Sequence, residues 1–531
     1  MKLASIEPLG DTAVVLEGEI AGLGESLPPG VTDVVRAFGQ TAIHFDPRLT
    51  GSADVAAWLS EQPLQGEPSS GSDRFVEIPV LYGGEAGADL ERVAQLAGLT
   101  CDEVVRRHQA SELRVGAVGF QPGFAYLEGL PETLMTPRLE RPRARVAAGS
   151  VGIGGPYTGV YPSDSPGGWN LIGQTPLAMF DPNRASPALL RHGDRVRFRE
   201  VSEDEHRRLA ETNRPAPAPT EEPTGAPLLR VVSPGAQATL QDLGNHGHQH
   251  WGVSPGGAMD PVSLHLANLL VGNEPNAVAL EAALVGPVLE CLEPITLGFA
   301  GAACDTIGGT RLLRFNQGDR IDLRKLEGGA RAYLSAPGGF SNPRPKYLAA
   351  QPLAAGDLLF GKPTHEQTNQ TGWSLSGSLL PSICQDKAIE LRVIESPEWN
   401  RFAPDSRKAL LNETYRVSSQ SSRMGLRCEG PTIEPPSASV SAPVCHGAIQ
   451  VPPDGQPIIL APDRQTLGGY PVIAVVASVD WPLLGQLRPG DRVNFCATTL
   501  EEAERLRREQ EQRLSHTAEG IAMKQTGNAK R

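Results

Sequence analysis

Hydrophobic spacing changes character along the chain. Before Val115 both periods occur. "TAIHFDP" reads as a strand, "DVAAWLSEQ" and "DLERVAQLAG" have helical spacing, and "CDEVVRRH" opens a helix near Asp102. After Val115 strand-like runs dominate, with turn residues at short intervals. "MDPVSLHLANLLVGN" is the exception: Asp260 fits an N-cap, Pro261 the first helical position and Gly272 the stop. Two distant segments end alike, "GDRVRFREVSEDEHRRLA" from Gly193 and "GDRVNFCATTLEEAERLR" from Gly490. Each predicts a turn, an alternating strand and a helix start. Ser202 with Glu205, and Thr499 with Glu502, have capping-box spacing. These are ends of related β units.

Between the two segments lies "NRPAPAPTEEPTGAP" (213–227), which cannot bury a core and predicts an extended spacer. The chain of 531 residues is long enough for three or four domains. The 58 glycines and 47 prolines suit short strands joined by tight turns. A net charge of −13 argues against a general nucleic-acid surface. No run reaches the roughly 18 apolar residues of a membrane span, and nothing resembles a secretory signal. The seven cysteines are scattered without a CxxC, as reduced cytoplasmic thiols would be. The tail from Gly520 on is polar and predicts disorder.

The stretch from Gly119 to Trp169 is rich in glycine, proline, arginine and tyrosine and poor in apolar periodicity, as functional loops are. Arg138, Arg141, Arg143 and Arg145 can form an anion site or a solvated basic surface. "AGSVGIGGPYTG" can approach a ligand through its backbone or simply turn; it lacks P-loop spacing. His108 ends a short helix, as an acid/base or as a cap. His246, His248 and His250 recur at period two, but the glycines around them favour a loop over a metal site. "IAMKQT" echoes a biotin-accepting lysine, yet no strands follow Lys524 to make the required hairpin. "SPGGWNLIG" (165–173) and "LGGYPVIAVV" (467–476) share an outline of Gly-Gly, an aromatic and a strand.

"GFQPGFAYLEGLP", "TPRLERPRARVAAGSVGIGGPYTGVYP" and "SPGGWNLIGQTP" resemble the B-subunit family of bacterial 5-oxoprolinase, also called Kip inhibitor or allophanate hydrolase subunit 1. "LQDLGNHGHQHWGVSPGGAMDPVSLHLANLLVGN", "ALEAALVGPVLE", "SSRMGLRCEGP", "GAIQVPPDGQPIILAPDRQTLGGYP" and "GQLRPGDRVNF" resemble the C-subunit family. The resemblance implies a B–C fusion and a mostly β fold with an α/β N-terminal part. A small α/β domain (1–85) and a cyclophilin-like barrel (86–212) would precede the linker. Two more barrels (228–385 and 386–498) and a C-terminal helix with a disordered tail (499–531) would follow it.

The function implied is ATP-dependent opening of 5-oxo-L-proline to L-glutamate, together with a separate A-subunit homologue and with a higher oligomer left open. The alternatives are a carboxyltransferase for urea or another small amide, served by a separate biotin carrier, and a kinase-regulating binder. ATP would be used by the complex, with no covalent biotin on this chain, no metal and neither nucleic acid nor membrane as partner. The resemblance marks His108, Asp260 and Asp463 as catalytic candidates. It marks Gln121, Tyr126, Arg138, Arg143, Arg145, Ser150, Gly167, Gly168 and Trp169 as substrate or phosphate ligands. In the second half it adds Gln241, Asp242, Ser422, Arg423, Arg427, Gln450, Gly468, Gly469 and Tyr470. Two departures stand against the C-subunit pattern: a shortened segment after Phe340, and Ser441-Ala442 ahead of "GAIQVPP".

Overall fold

Alternation along the strands determines what each buries. In Ser150–Gly154, Val151 and Ile153 enter a core while Ser150, Gly152 and Gly154 face the other side. The computed structural model describes residues 6–18, 23, 27–61, 74–213, 222–341, 347–362, 374–375, 387–437 and 441–526. Seven strands close a first barrel: Phe75–Tyr82, Leu113–Val118, Ala125–Glu128, Ser150–Gly154, Tyr157–Val160, Asn170–Gln174 and Arg195–Glu200. Numbered along the chain, they run around the barrel in the order 2-7-1-6-4-5-3. The sequence boundary at residue 85 therefore falls too late. Phe75–Tyr82 is a barrel strand, because its parallel register with Arg195–Glu200 fills the gap in the ring.

A second barrel repeats this order with Ile389–Glu395, Tyr415–Val417, Gly425–Glu429, Ala448–Gln450, Ile458–Leu460, Val472–Val476 and Arg492–Ala497. In both barrels strand seven lies parallel to strand one and antiparallel to strand two. The matched sequence endings are these seventh strands. Ser202 Oγ and Thr499 Oγ1 then accept from the backbone N–H of Glu205 and Glu502 as the next helix begins. Each barrel also carries one small ribbon outside the ring: Arg143–Val146 with Ser165–Gly167, and Ala442–Pro443 with Leu467–Gly468. The two Gly-Gly-aromatic stretches are thus equivalent, each leading into strand six.

The N-terminal strands Ile6–Pro8, Ala13–Glu17, Gln40–Phe45 and Val31–Ala37 extend the first barrel's sheet through the Ala37–Ala117 pair. Helix Ser52–Glu61 buries Val55 and Leu59 against them. The unit after the linker differs from the expected barrel. Its described strands form a four-stranded and a five-stranded sheet around one core that includes Leu229, Leu289 and Phe299. Helix Pro261–Leu270 packs on the larger sheet with Asp260 as its N-cap. The linker is shorter than the sequence suggests: Ala226 and Pro227 already pair in a strand, and 214–221 lie outside the described residues. The C-terminal helix runs from Leu500 to Thr526, so the tail expected to be disordered from Gly520 is helical to that point. Buried Leu514 and Ile521 hold it down. No described helix is long and apolar enough to cross a membrane.

Candidate functional site at the seam of the two halves

Trp169 lies flat on the outer face of the first barrel and is only 4% exposed. The strands beneath it are stripped of side chains. A Cβ on Gly154 would overlap the indole, and one on Gly159 would crowd it at 3.3 Å. The glycine-rich segment is therefore a bed for tryptophan. Phe124, Tyr126 and Tyr161 meet Trp169 edge-on, with centroids 5.3, 5.7 and 6.4 Å away. Phe38 from the N-terminal unit joins at 4.8 Å from Tyr157. The Arg138 guanidinium stands 6.0 Å from the indole centroid. Burial pushes the Tyr126 phenol up to about 12, against a small opposing pull from Arg138.

The arginines do not act as one cluster. Arg143 binds Asp89 at 2.7 Å, and the other oxygen of that carboxylate accepts from Leu171 N–H at 2.7 Å. Arg145 pairs with Asp164 at 2.6 Å on the surface. Arg141 is exposed, and Arg138 has no carboxylate partner among the described residues. Gly167 pairs in the ribbon opposite Arg143, and a Cβ there would press on Tyr161 Oη at 2.5 Å. Gly168 accepts from Leu139 N–H at 2.7 Å, and buried Ser150 accepts from Tyr161 N–H at 2.9 Å. Gln121 bridges Ser163 and Ser165 at 2.8 and 3.3 Å.

His108 is enclosed within the first half. It is fully buried between its helix and the barrel, stacked on Phe198 at 4.5 Å. Thr158 Oγ1 donates to the Gly152 carbonyl, so it accepts from His108 Nε2–H at 2.9 Å, and Tyr82 Oη–H donates to Nδ1 at 2.8 Å. Both nitrogens are engaged, and burial holds the imidazole neutral with a pKa lowered to about 3. Its ring caps no helix carbonyl, and the helix ends instead at Ser111.

Asp260 is a structural cap. Its buried carboxylate accepts from Ser263 N–H at 2.9 Å, Ser263 Oγ at 2.5 Å and Gln486 Nε2 at 2.7 Å. Asp463 holds Arg423 through Nε at 2.8 Å and Nη2 at 3.0 Å. Arg423 also reaches Glu281 at 2.6 Å and the Gly257 carbonyl at 2.5 Å. Glu281 accepts from Tyr333 Oη at 2.6 Å and Met259 N–H at 2.9 Å, and Arg331 approaches within 3.7 Å. This network bolts the two-sheet unit to the second barrel. Sequence reasoning missed Glu281, although a lone acid inside the apolar run "ALEAA" signals a paired buried charge. The remaining second-half candidates scatter. Gln241 bonds Thr239 at 3.1 Å, and Asp242 accepts from Gly244 N–H at 2.8 Å. Ser422 accepts from Met424 N–H at 3.2 Å, and Arg427 is exposed on its strand.

Gln450, Gly468 and Tyr470 do come together. Gln450 Nε2 donates to the Tyr470 carbonyl at 3.1 Å and packs on the bare Gly468. Gly469 lies open near Ser441, and Tyr470 is 45% exposed. This loop drives Leu467 into the aromatic cluster of the first barrel, against Gly119. "NHGHQHWG" closes the same seam. Trp251 accepts from Gly123 N–H at 2.8 Å, and Asp33 takes Gln249 N–H at 2.5 Å and His250 Nδ1 at 2.8 Å. Burial works to raise the Asp33 carboxyl, but His250, His44 and the Val34 N–H together hold the group below the usual range. The three period-two histidines diverge: His246 bonds the Leu243 carbonyl and His248 stacks on Trp251 at 5.2 Å. Lys524 sits on the C-terminal helix, not on a hairpin. The loops "GFQPG", "NHGHQHWG" and "DRQTLGGYP", distant in sequence, meet along one seam. Ala442, one of the two departures, pairs with Gly468 at its edge.

Comparison with known proteins gives this arrangement a class. Residues 9–190 match the carboxyltransferase domain, subdomains C and D, and 251–497 match subdomains A and B. The chain belongs to the carboxyltransferase-domain family. Within it, the chain belongs to the B-subunit and C-subunit families of 5-oxoprolinase, fused in one polypeptide. It is 44% identical to the 5-oxoprolinase B subunit of Escherichia coli O157:H7 over 37% of this chain and 96% of that protein. It is 31% identical to the C subunit of Escherichia coli K12 over 55% of this chain and 98% of that one. The solved structure of TTHA0988 superposes with a TM-score of 0.78 at 33% identity, covering 91% of this chain and 99% of that one. Urea amidolyase of Lachancea kluyveri is 30% identical over 55% of this chain but only 18% of its own length.

Proposed function

We propose that this chain is the B–C component of an ATP-dependent 5-oxoprolinase, which opens 5-oxo-L-proline to L-glutamate together with a separate A-subunit homologue. One observation carries the reading: each half covers nearly the whole of one 5-oxoprolinase component, and the motif loops of both halves converge on one seam. Beside that seam Arg138, without a carboxylate partner among the described residues, is the candidate cation for a substrate. Its planar fork suits the carboxylate of 5-oxoproline or glutamate. The aromatic bed of Trp169 and Tyr126 orients it from below and keeps water from one side. His108 takes no proton in this scheme, being neutral, buried and fully hydrogen-bonded. ATP is used by the complex as a whole.

The chain and its A-subunit homologue should co-purify, and ATP-dependent glutamate release from 5-oxoproline should require both. A stable complex of clean components that yields no glutamate would sink the proposal. Arg138→Ala should lower glutamate formation by about tenfold or more at unchanged melting temperature, since its side chain anchors no fold contact beyond the indole.

A further inference from the structure

Where the N-terminal unit, the two-sheet unit, the second barrel and the C-terminal helix meet, they enclose a cavity of about 150 Å³. Its wall has an unusual electrostatic make-up. Arg464 is buried there, 5% exposed, with no carboxylate partner among the described residues. Its Nη2 donates to Gln249 Oε1 at 3.0 Å, but its Nε–H has no partner. His44 Nε2, Trp481 Nε1 and Arg507 Nε are also buried without partners and belong to the same wall. His446 completes it, stacked on Trp481 at 4.1 Å. The carboxylates nearby already have cations: Asp46 has Arg48 at 2.6 Å, Glu511 has Arg507 at 2.8 Å and Asp463 has Arg423 at 2.8 Å. Asp11, behind Ser478, is held by that residue's N–H and hydroxyl.

An uncompensated buried guanidinium is costly, and so is each unmatched buried N–H. Here they share one small space. The same positive charge, after burial itself, keeps His44 neutral with a pKa lowered to about 4 and His446 well below its usual value. Neutral imidazoles can present N–H to an incoming acceptor. A cation would meet Arg464 head-on, whereas an anion can accept from the guanidinium and from these N–H groups. Exposed Arg48 and half-buried His265 also line the cavity.

We propose that this cavity is a binding site for a small carboxylate, held by the Arg464 guanidinium with the Trp481 indole N–H and the His44 and His446 imidazoles as further donors. The site lies apart from Arg138 and does not depend on which reaction the complex performs. Two oxygens on one planar group match a guanidinium edge and adjoining N–H donors better than a tetrahedral oxyanion does.

The test is calorimetric titration of the intact chain with acetate, 5-oxo-L-proline, L-glutamate and inorganic phosphate, with tryptophan emission followed in parallel. At least one carboxylate should bind with one-to-one stoichiometry and shift the emission. Arg464→Met should weaken that binding by about tenfold or more. His446→Phe keeps the stacking on Trp481 and leaves the buried charge, and it should weaken binding with the fold intact. Trp481→Phe should abolish the emission change. Unchanged affinity in His446→Phe and Arg464→Met would overturn the site. So would the absence of any saturating carboxylate, or saturation by phosphate alone. Arg230→Gln, on the surface of the two-sheet unit outside this cavity, should bind as the parent chain does.

Discussion

Single residues show how much of the functional face is a packing solution. Trp169 needs the hydrogen side chains of Gly154 and Gly159 beneath it, so Gly154→Ala should cost about 1–3 kcal/mol in urea denaturation through overpacking. A Gly154→Ala chain as stable as its parent would mean that the indole does not rest there. His108 makes a prediction with a sign. Its pKa is depressed from about 6.5 unfolded to about 3 folded. Below pH 6.5 the unfolded chain therefore binds the additional proton, and stability falls as pH drops from 6.5 toward 3, by up to about 1.4 kcal/mol per pH unit. The urea midpoint should fall over that window, and His108→Gln should make the decline shallower. An identical pH slope in the variant would remove His108 from this role.

Elements carry the next level of order. The loop that begins with Leu467 belongs by chain connectivity to the second barrel but packs its side chain in the first half. Leu467→Ala should lose about 2–4 kcal/mol through an unfilled cavity, read as a lower melting temperature of the intact chain. The Glu281–Arg423–Asp463 network makes a stronger demand. Arg423→Met strands a buried carboxylate and should destabilise the chain by about 3–5 kcal/mol. Much of this level was legible in the sequence. The capping boxes at Ser202 and Thr499, the helix from Pro261 and the two Gly-Gly-aromatic stretches all stand where local rules put them, because caps, turns and alternation act over a few residues. The helical Gly520–Thr526 was not legible, since the polar run continues a helix whose Leu514 packs with residues of the Pro261–Leu270 helix and whose Ile521 is buried.

Across the whole molecule, the halves are joined less by the linker than by the seam. Asp33 with Gln249 and His250, Asp11 with Ser478, and Gly123 with Trp251 all cross it. Cleavage within 214–221, or co-expression of the halves as separate chains, should therefore leave a complex that elutes as one species in size-exclusion chromatography. Independent elution would show that the linker holds the halves together.

By itself the sequence determined the class of fold, the repeat of two β units, the helix caps and the membership in the two 5-oxoprolinase families. These depend on local periodicity and on long motifs in a fixed order. Only the tertiary structure decided what the motif residues do. It turned His108 and Asp260 into buried structural groups, paired Arg143 and Arg145 with carboxylates and left Arg138 without one among the described residues. It also brought Arg464, His44 and His446 around one cavity. The reason is physical: charge, burial and hydrogen-bond satisfaction are set by groups that lie hundreds of residues apart in the chain and meet only when the halves close.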